Sequence, residues 1–201
     1  MRSSPDSQAK GSTVEIVLRP IGVVQNDREA LSLVAENGDL VWKARTSEAR
    51  QWRSAKSELV VNSELTGILD GIEEFSHILV LYWAHLVASE ERFIIKVHPK
   101  GRQDLPLVGI FATCSPARPN SICATVVRLL ERKGNILTVE GLDAVNGSPL
   151  LDIKPYNPTY FAAENVKVAG WMERIRREST EGPYSDSDSA GTDSRQESCK
   201  S

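Results

Sequence analysis

Cysteine, histidine and aromatic residues are scarce in this 201-residue chain, and each scarcity removes a class of protein. Three cysteines (Cys114, Cys123, Cys199) are an odd number with no CxxC spacing, which excludes a disulfide scaffold and a structural zinc site. Cys114 and Cys123 could still meet on neighbouring strands. Of the three histidines, His77 and His85 fall at opposite ends of one predicted strand, about 25 Å apart. One ion cannot bridge them, and no metal site is expected. The longest apolar run, from Ile78 to Ala84, is far too short to span a bilayer. No apolar segment follows Met1–Asp6, so neither a secretory signal nor a membrane association is expected, and the expected location is cytoplasmic. GxGxxG, P-loop, HExxH and GxSxG signatures are missing as well.

Charge of one sign is also lacking, except at the C-terminus. Residues 179–201 hold five acids and two bases. Taking these from the totals of 27 and 24 leaves 22 acids and 22 bases before Ser179. A neutral body excludes a protein that coats nucleic acid through bulk charge, and leaves room for a local basic patch. Residues 1–13 and 179–201 are rich in Ser and polar residues, bury too little apolar surface to offset chain entropy, and are predicted to be disordered tails.

What is present is a 40% apolar content arranged mainly in period two or in short runs. Strands are predicted at Val14–Val24 (bent at Pro20 and Gly22), Glu58–Asn62, His77–His85, Phe93–His98, Val108–Thr113, Ala124–Glu131, Ile136–Glu140 and Leu150–Ile153. Gly134-Asn135 and Asn146-Gly147 supply the turns. Many short strands with close turns predict a mainly β fold, a closed or pseudo β-barrel, over residues 14–178. Glu29–Trp52 has no clean period and reads as a variable insertion at about 26–56, partly helical. Glu164–Glu178 reads as a C-terminal helix packed on the barrel, with Val168, Trp171, Met172 and Ile175 on one face.

Three clusters can carry chemistry. Two prolines stiffen Thr113–Asn120, where Arg118 either presents a planar fork to a phosphate or carboxylate or merely pairs within a rigid loop. Gly141–Gly147 is either a ligand loop with Asp143 facing outward or a plain turn. Asp152 and Lys154 share a predicted polar face, Leu151 and Ile153 turning inward, and with Tyr156 close behind they suit either proton handling or an ion pair.

Taken together, Ile21-Gly22-Val23-Val24, Leu69–Ile78 and the strand to His85, Gly109–Thr113, Ser115-Pro116, Arg118-Pro119-Asn120, Gly141–Ala144 and Asp152–Tyr156 resemble one family. This is the TsaA-like (TrmO) family, which methylates N6 of threonylcarbamoyladenosine at position 37 of tRNA. The resemblance is to a short form without the bacterial C-terminal domain. It implies a β-barrel methyltransferase, a homodimer, tRNA as partner and S-adenosylmethionine as donor. Carried over by position, His85, Leu86, Cys114, Ala124, Leu142, Asp143, Ala144 and Val145 would surround the cofactor. Arg118, Asn120 and Lys154 would line the substrate side, and Asp152 or Tyr156 would assist deprotonation. The chain departs from the family phrases at Cys114, where arginine is usual, and at Ser121 and Cys123, where proline and glycine are usual. Two other functions fit these residues: a barrel that binds S-adenosylmethionine without transfer, or a methyltransferase for a small-molecule acceptor.

Overall fold

The computed structural model describes residues 15–30, 33–36, 39–42, 53–161 and 163–180. Residues 1–13, and the acidic tail beyond Thr180, lie outside the described residues. The chain divides into two units, Met1–Ala162 and Ala163–Ser201.

Six strands of the first unit close into a barrel: β1 (Gly22–Gln25), β4 (Lys56–Val61), β5 (His77–Trp83), β8 (Ile122–Lys133), β9 (Ile136–Glu140) and β10 (Pro149–Pro155). Their order is β1-β10-β5-β8-β9-β4, and β4 pairs back with β1, so no barrel strand is left with a free edge. Period two decides what faces inward. Leu59 and Val61 on β4, Ile78, Val80 and Tyr82 on β5, and Leu137 and Val139 on β9 are all buried, with Val24, Val127, Leu142 and Leu150. Each fully buried aliphatic side chain contributes about 1.5–3 kcal/mol. At the closing seam, a Cβ on Gly22 would collide with the Val60 carbonyl oxygen, so only glycine allows β1 to lie this close to β4.

Two smaller hairpins flank the barrel. β6 (Lys96–Val97) pairs with β7 (Val108–Gly109), over a second core of Ala84, Val87, Val97, Ile110 and Ala117. β2 (Leu33–Glu36) pairs with β3 (Asp39–Trp42). The Asp39 carboxylate ties this hairpin to the β6 region, accepting from the His98 backbone N–H (2.8 Å) and from Gln103 Nε2 (3.0 Å), with His98 Nδ1 at 2.7 Å.

Several expected elements differ. The predicted Val14–Val24 strand shrinks to Gly22–Gln25, and Ile16, Val17 and Leu18 are exposed; Pro20 offers no amide, and among the described residues the ladders of β1 begin only at Gly22. Phe93–His98 and Val108–Thr113 reduce to two paired residues each, with 3₁₀ turns at Glu90–Phe93 and Ile110–Ala112. The described part of the insertion is a hairpin rather than helix; residues 43–52 lie outside the described set. A bulge at Leu151 shifts the register between Leu150 and Asp152, so Leu150 and Ile153 face the core instead of Leu151 and Ile153. After β10 comes a short helix α1 (Pro158–Phe161) that sequence analysis misses. In the second unit, α2 (Gly170–Thr180) starts later than expected: Asn165 takes a left-handed φ of 55°, and Val168 precedes the helix. The helix also runs two residues into the expected tail. No helix among the described residues is long and apolar enough to cross a membrane.

Candidate active site

One end of the barrel gathers the turn after β9, the chain leaving β1, and the residues following β5. Gly141 (φ 91°) and Gly147 (φ 77°) bracket the turn, and these positive angles let five residues bulge between β9 and β10. Leu142, Ala144 and Val145 point into the protein and are buried, so Asp143 and Asn146 are left facing outward.

Asp143 is fixed from below. Its Oδ1 accepts from the Tyr82 hydroxyl at 2.8 Å and from Thr125 Oγ1 at 2.5 Å, two inward-facing side chains of adjacent strands. Burial and then the Asp143 charge push the Tyr82 hydroxyl above the usual phenol range, so it stays a donor. Cys123, also inward-facing, is pushed up to about 11 by burial and then by Asp143, and remains a neutral thiol.

The loop is also held from the side. Asn26 Nδ2 donates to Ala144 O and to Ser57 Oγ, both at 3.0 Å, and its backbone N–H donates to Asn146 Oδ1 at 3.2 Å. Arg28 Nη1 donates to the Asp143 carbonyl at 3.2 Å, and the Arg28 carbonyl accepts the Asn146 N–H at 2.6 Å. His85 lies against the other end of the turn, Nδ1 3.4 Å from Ser148 Oγ. Asn26 and Asn146 also border an open polar groove of about 560 Å³ that includes Lys56, Ser57 and Thr138.

The expected site residues thus separate into groups. His85, Leu142, Asp143, Ala144 and Val145 come together at this end. Leu86 and Cys114 are exposed, and Ala124 lies on the outer face of β8, pointing away from Thr125 and Cys123. Register places Asp152, Leu81 and Ala124 in one row across the outer face of β10, β5 and β8, with Lys154, Leu79 and Val126 in a parallel row. Asp152 Oδ2 is 2.5 Å from Lys154 Nζ, an ion pair. Tyr156 continues to the opposite end of the barrel, where its N–H donates to His77 O and its ring stacks on Phe161. The structure does not bring Asp152, Lys154 or Tyr156 to the Asp143 turn within one chain. Arg118 folds back on its own loop: Nε donates to Ser115 O (2.7 Å) and Nη2 to Thr113 O (2.6 Å), while Asn120 sits at the exposed tip.

Sequence reading missed Tyr82, Thr125, Asn26 and Arg28. Tyr82 was legible: alternation from Ile78 and Val80 sends it inward, where a phenol needs a partner. Asn26 and Arg28 carry no such mark.

A small closed β-barrel whose polar site is built by turns at one end is the class that these elements define. The chain matches the tRNA-methyltransferase O N-terminal domain over residues 43–161, and it belongs to that family. A Methanothermobacter thermautotrophicus protein described as a probable S-adenosyl-L-methionine-binding protein is 42% identical over 147 residues, covering 72% of this chain and 93% of the relative. The mouse tRNA (adenine(37)-N6)-methyltransferase is 36% identical over 110 residues, which are 55% of this chain and 25% of that enzyme. The crystal structure of TrmO from Pseudomonas aeruginosa superposes with a TM-score of 0.52 at 25% identity, covering 78% of this chain. This chain spans 62% of that solved chain, and 63% of another TrmO whose TM-score is 0.54 at 23% identity.

Proposed function

We propose that this protein is an S-adenosylmethionine-dependent methyltransferase acting on N6 of an adenine in tRNA, with threonylcarbamoyladenosine at position 37 as the acceptor. The observation that carries the reading is the Asp143 turn: a carboxylate held by two hydroxyls and presented outward, in a chain that belongs to this family. The residues present fit the cofactor, since Asp143 Oδ2 has no partner among the described residues and suits a cationic ligand.

When bound, S-adenosylmethionine supplies an electrophilic methyl group on a sulfonium. The protein's part is alignment more than added charge, because the positive charge on sulfur vanishes during transfer. Of the residues expected to surround it, His85 and Leu142–Val145 would hold it at the turn, whereas Leu86 and Cys114 are exposed and Ala124 lies on the outer face of β8. The accepting nitrogen must lose a proton, a loss that Asp152 or Tyr156 assists. Arg118, Asn120 and Lys154 position the modified nucleotide through its carboxylate or phosphates. A homodimer belongs to this reading, because the Asp152 row and the Asp143 turn occupy different faces of one barrel, and Leu79, Leu81 and Val126 give the Asp152 face apolar surface for a partner. The reading places the protein in the cytoplasm.

The test is incubation with tritiated S-adenosylmethionine and threonylcarbamoylated tRNA. Label in the RNA supports the proposal. The second reading is a barrel that binds the cofactor without transfer, favoured by Cys114 standing where arginine is usual and by a 42%-identical relative described only as binding it. Cofactor binding with no label in tRNA selects that reading, and label in a small-molecule extract instead of tRNA moves the acceptor.

A further inference from the structure

Two opposite charges stand on the Asp143 turn without neutralising each other. Asp143 is exposed, and its Oδ1 is used by Tyr82 and Thr125 while Oδ2 is unengaged among the described residues. Arg28 is anchored at three points: its N–H donates to Asn26 Oδ1 (3.0 Å), its carbonyl accepts from Asn146, and its Nη1 donates to the Asp143 carbonyl (3.2 Å). Among the described residues Nε and Nη2 of Arg28 have no acceptor, and no ion pair joins this guanidinium to the Asp143 carboxylate. The cation is therefore attached to the backbone of the residue whose side chain is the anion, and each keeps unused hydrogen-bonding capacity.

The two cations expected on the substrate side are engaged elsewhere. Arg118 uses Nε and Nη2 within its own loop, and Lys154 pairs with Asp152. Cys114 supplies no guanidinium. A guanidinium offers several donors in a fixed plane and suits a carboxylate, whereas a carboxylate oxygen suits an ammonium. A ligand that carries both groups on one carbon, an α-amino acid, would satisfy both at once.

We propose that Arg28 and Asp143 form the subsite for the α-amino-acid end of the cofactor, Arg28 taking its carboxylate and Asp143 Oδ2 its ammonium. This rests on the function proposed above and adds a residue outside the expected site. It also gives the stapling of Asn26–Arg28 to the turn a purpose, since a cation fixed in place loses little freedom on binding.

The experiment is calorimetric titration of the full chain with S-adenosylmethionine, its decarboxylated form and 5′-methylthioadenosine, which lacks the amino-acid end. Arg28→Ala is expected to weaken S-adenosylmethionine by at least about tenfold, and the other two ligands by less than about twofold. Asp143→Asn is expected to weaken the first two and spare the third. Arg28→Lys, which keeps the charge, is expected to fall between. Binding of 5′-methylthioadenosine to each variant reports that the barrel is intact. Equal weakening of all three ligands by Arg28→Ala overturns the subsite while leaving the proposed function standing, because Arg28 then only props the turn. If the unaltered protein binds none of the three, both readings fall.

Discussion

The Tyr82 hydroxyl donates to Asp143 Oδ1 at 2.8 Å across 61 positions of sequence, linking the barrel interior to its outward-facing turn. Thr125 donates to the same oxygen, so the carboxylate is oriented by two strands at once. Tyr82→Phe removes one donor and leaves the carboxylate partly supported. The expected outcome is a stability loss of about 1–3 kcal/mol in urea unfolding and a several-fold weaker S-adenosylmethionine affinity. Combining it with Thr125→Val should cost less or more than the sum of the two, as residues sharing one acceptor couple. Strict additivity in that double-mutant cycle counts against a shared role.

The neutral state of Cys123 makes stability depend on alkaline pH. Its thiol is raised from an ordinary 9.0 to about 11 by burial and the Asp143 charge. Above pH 9 the unfolded chain gives up this proton while the folded chain retains it, so protons favour folding. The contribution is full below pH 9 and is lost as pH rises through about 11. Tyr82, held above the phenol range, acts in the same direction. Urea midpoints are expected to fall across pH 9–11, with a shallower fall for Cys123→Ala; parallel curves would contradict the assignment.

Gly22→Ala tests the barrel seam. The added methyl would meet the Val60 carbonyl oxygen and lie 2.9 Å from Val61 Cα, both backbone atoms that cannot rotate away. A loss of about 2–4 kcal/mol is expected, seen as a fall of roughly 5–15 °C in melting temperature. An unchanged melting temperature would mean that β1 and β4 are not in contact here.

Arg118 is a loop-forming residue whose own carbonyl contacts hold the guanidinium. Arg118→Ala is expected to lower the methylation rate with tRNA by at least about tenfold and to leave S-adenosylmethionine affinity nearly intact. Arg118→Lys should not rescue the rate, because an ammonium cannot serve Ser115 O and Thr113 O in the same planar geometry. Equal losses in rate and in cofactor affinity would remove Arg118 from the substrate side.

Period two and turn residues carried the barrel. Ile136–Glu140 matches its strand end to end, and His77–His85 and Leu150–Ile153 locate β5 and β10 to within a few residues. Length failed where pairing failed: Ile16–Leu18 has strand composition but stays exposed, since composition does not reveal whether a partner edge exists. The insertion reads ambiguously for the same reason; β2 and β3 are defined by each other and by Asp39 reaching His98.

By itself, then, the sequence determined the fold class, the family, and which residues of the Leu142–Val145 turn are apolar, because these depend on local periodicity and on ordered motifs. Only the tertiary structure decided that Asp143 rests on Tyr82 and Thr125, and that Arg28 and Asn26 border it. It also decided that Asp152, Lys154 and Tyr156 lie away from that turn. Strand register and barrel closure set those distances, and both are properties of the whole chain that no short stretch of it encodes.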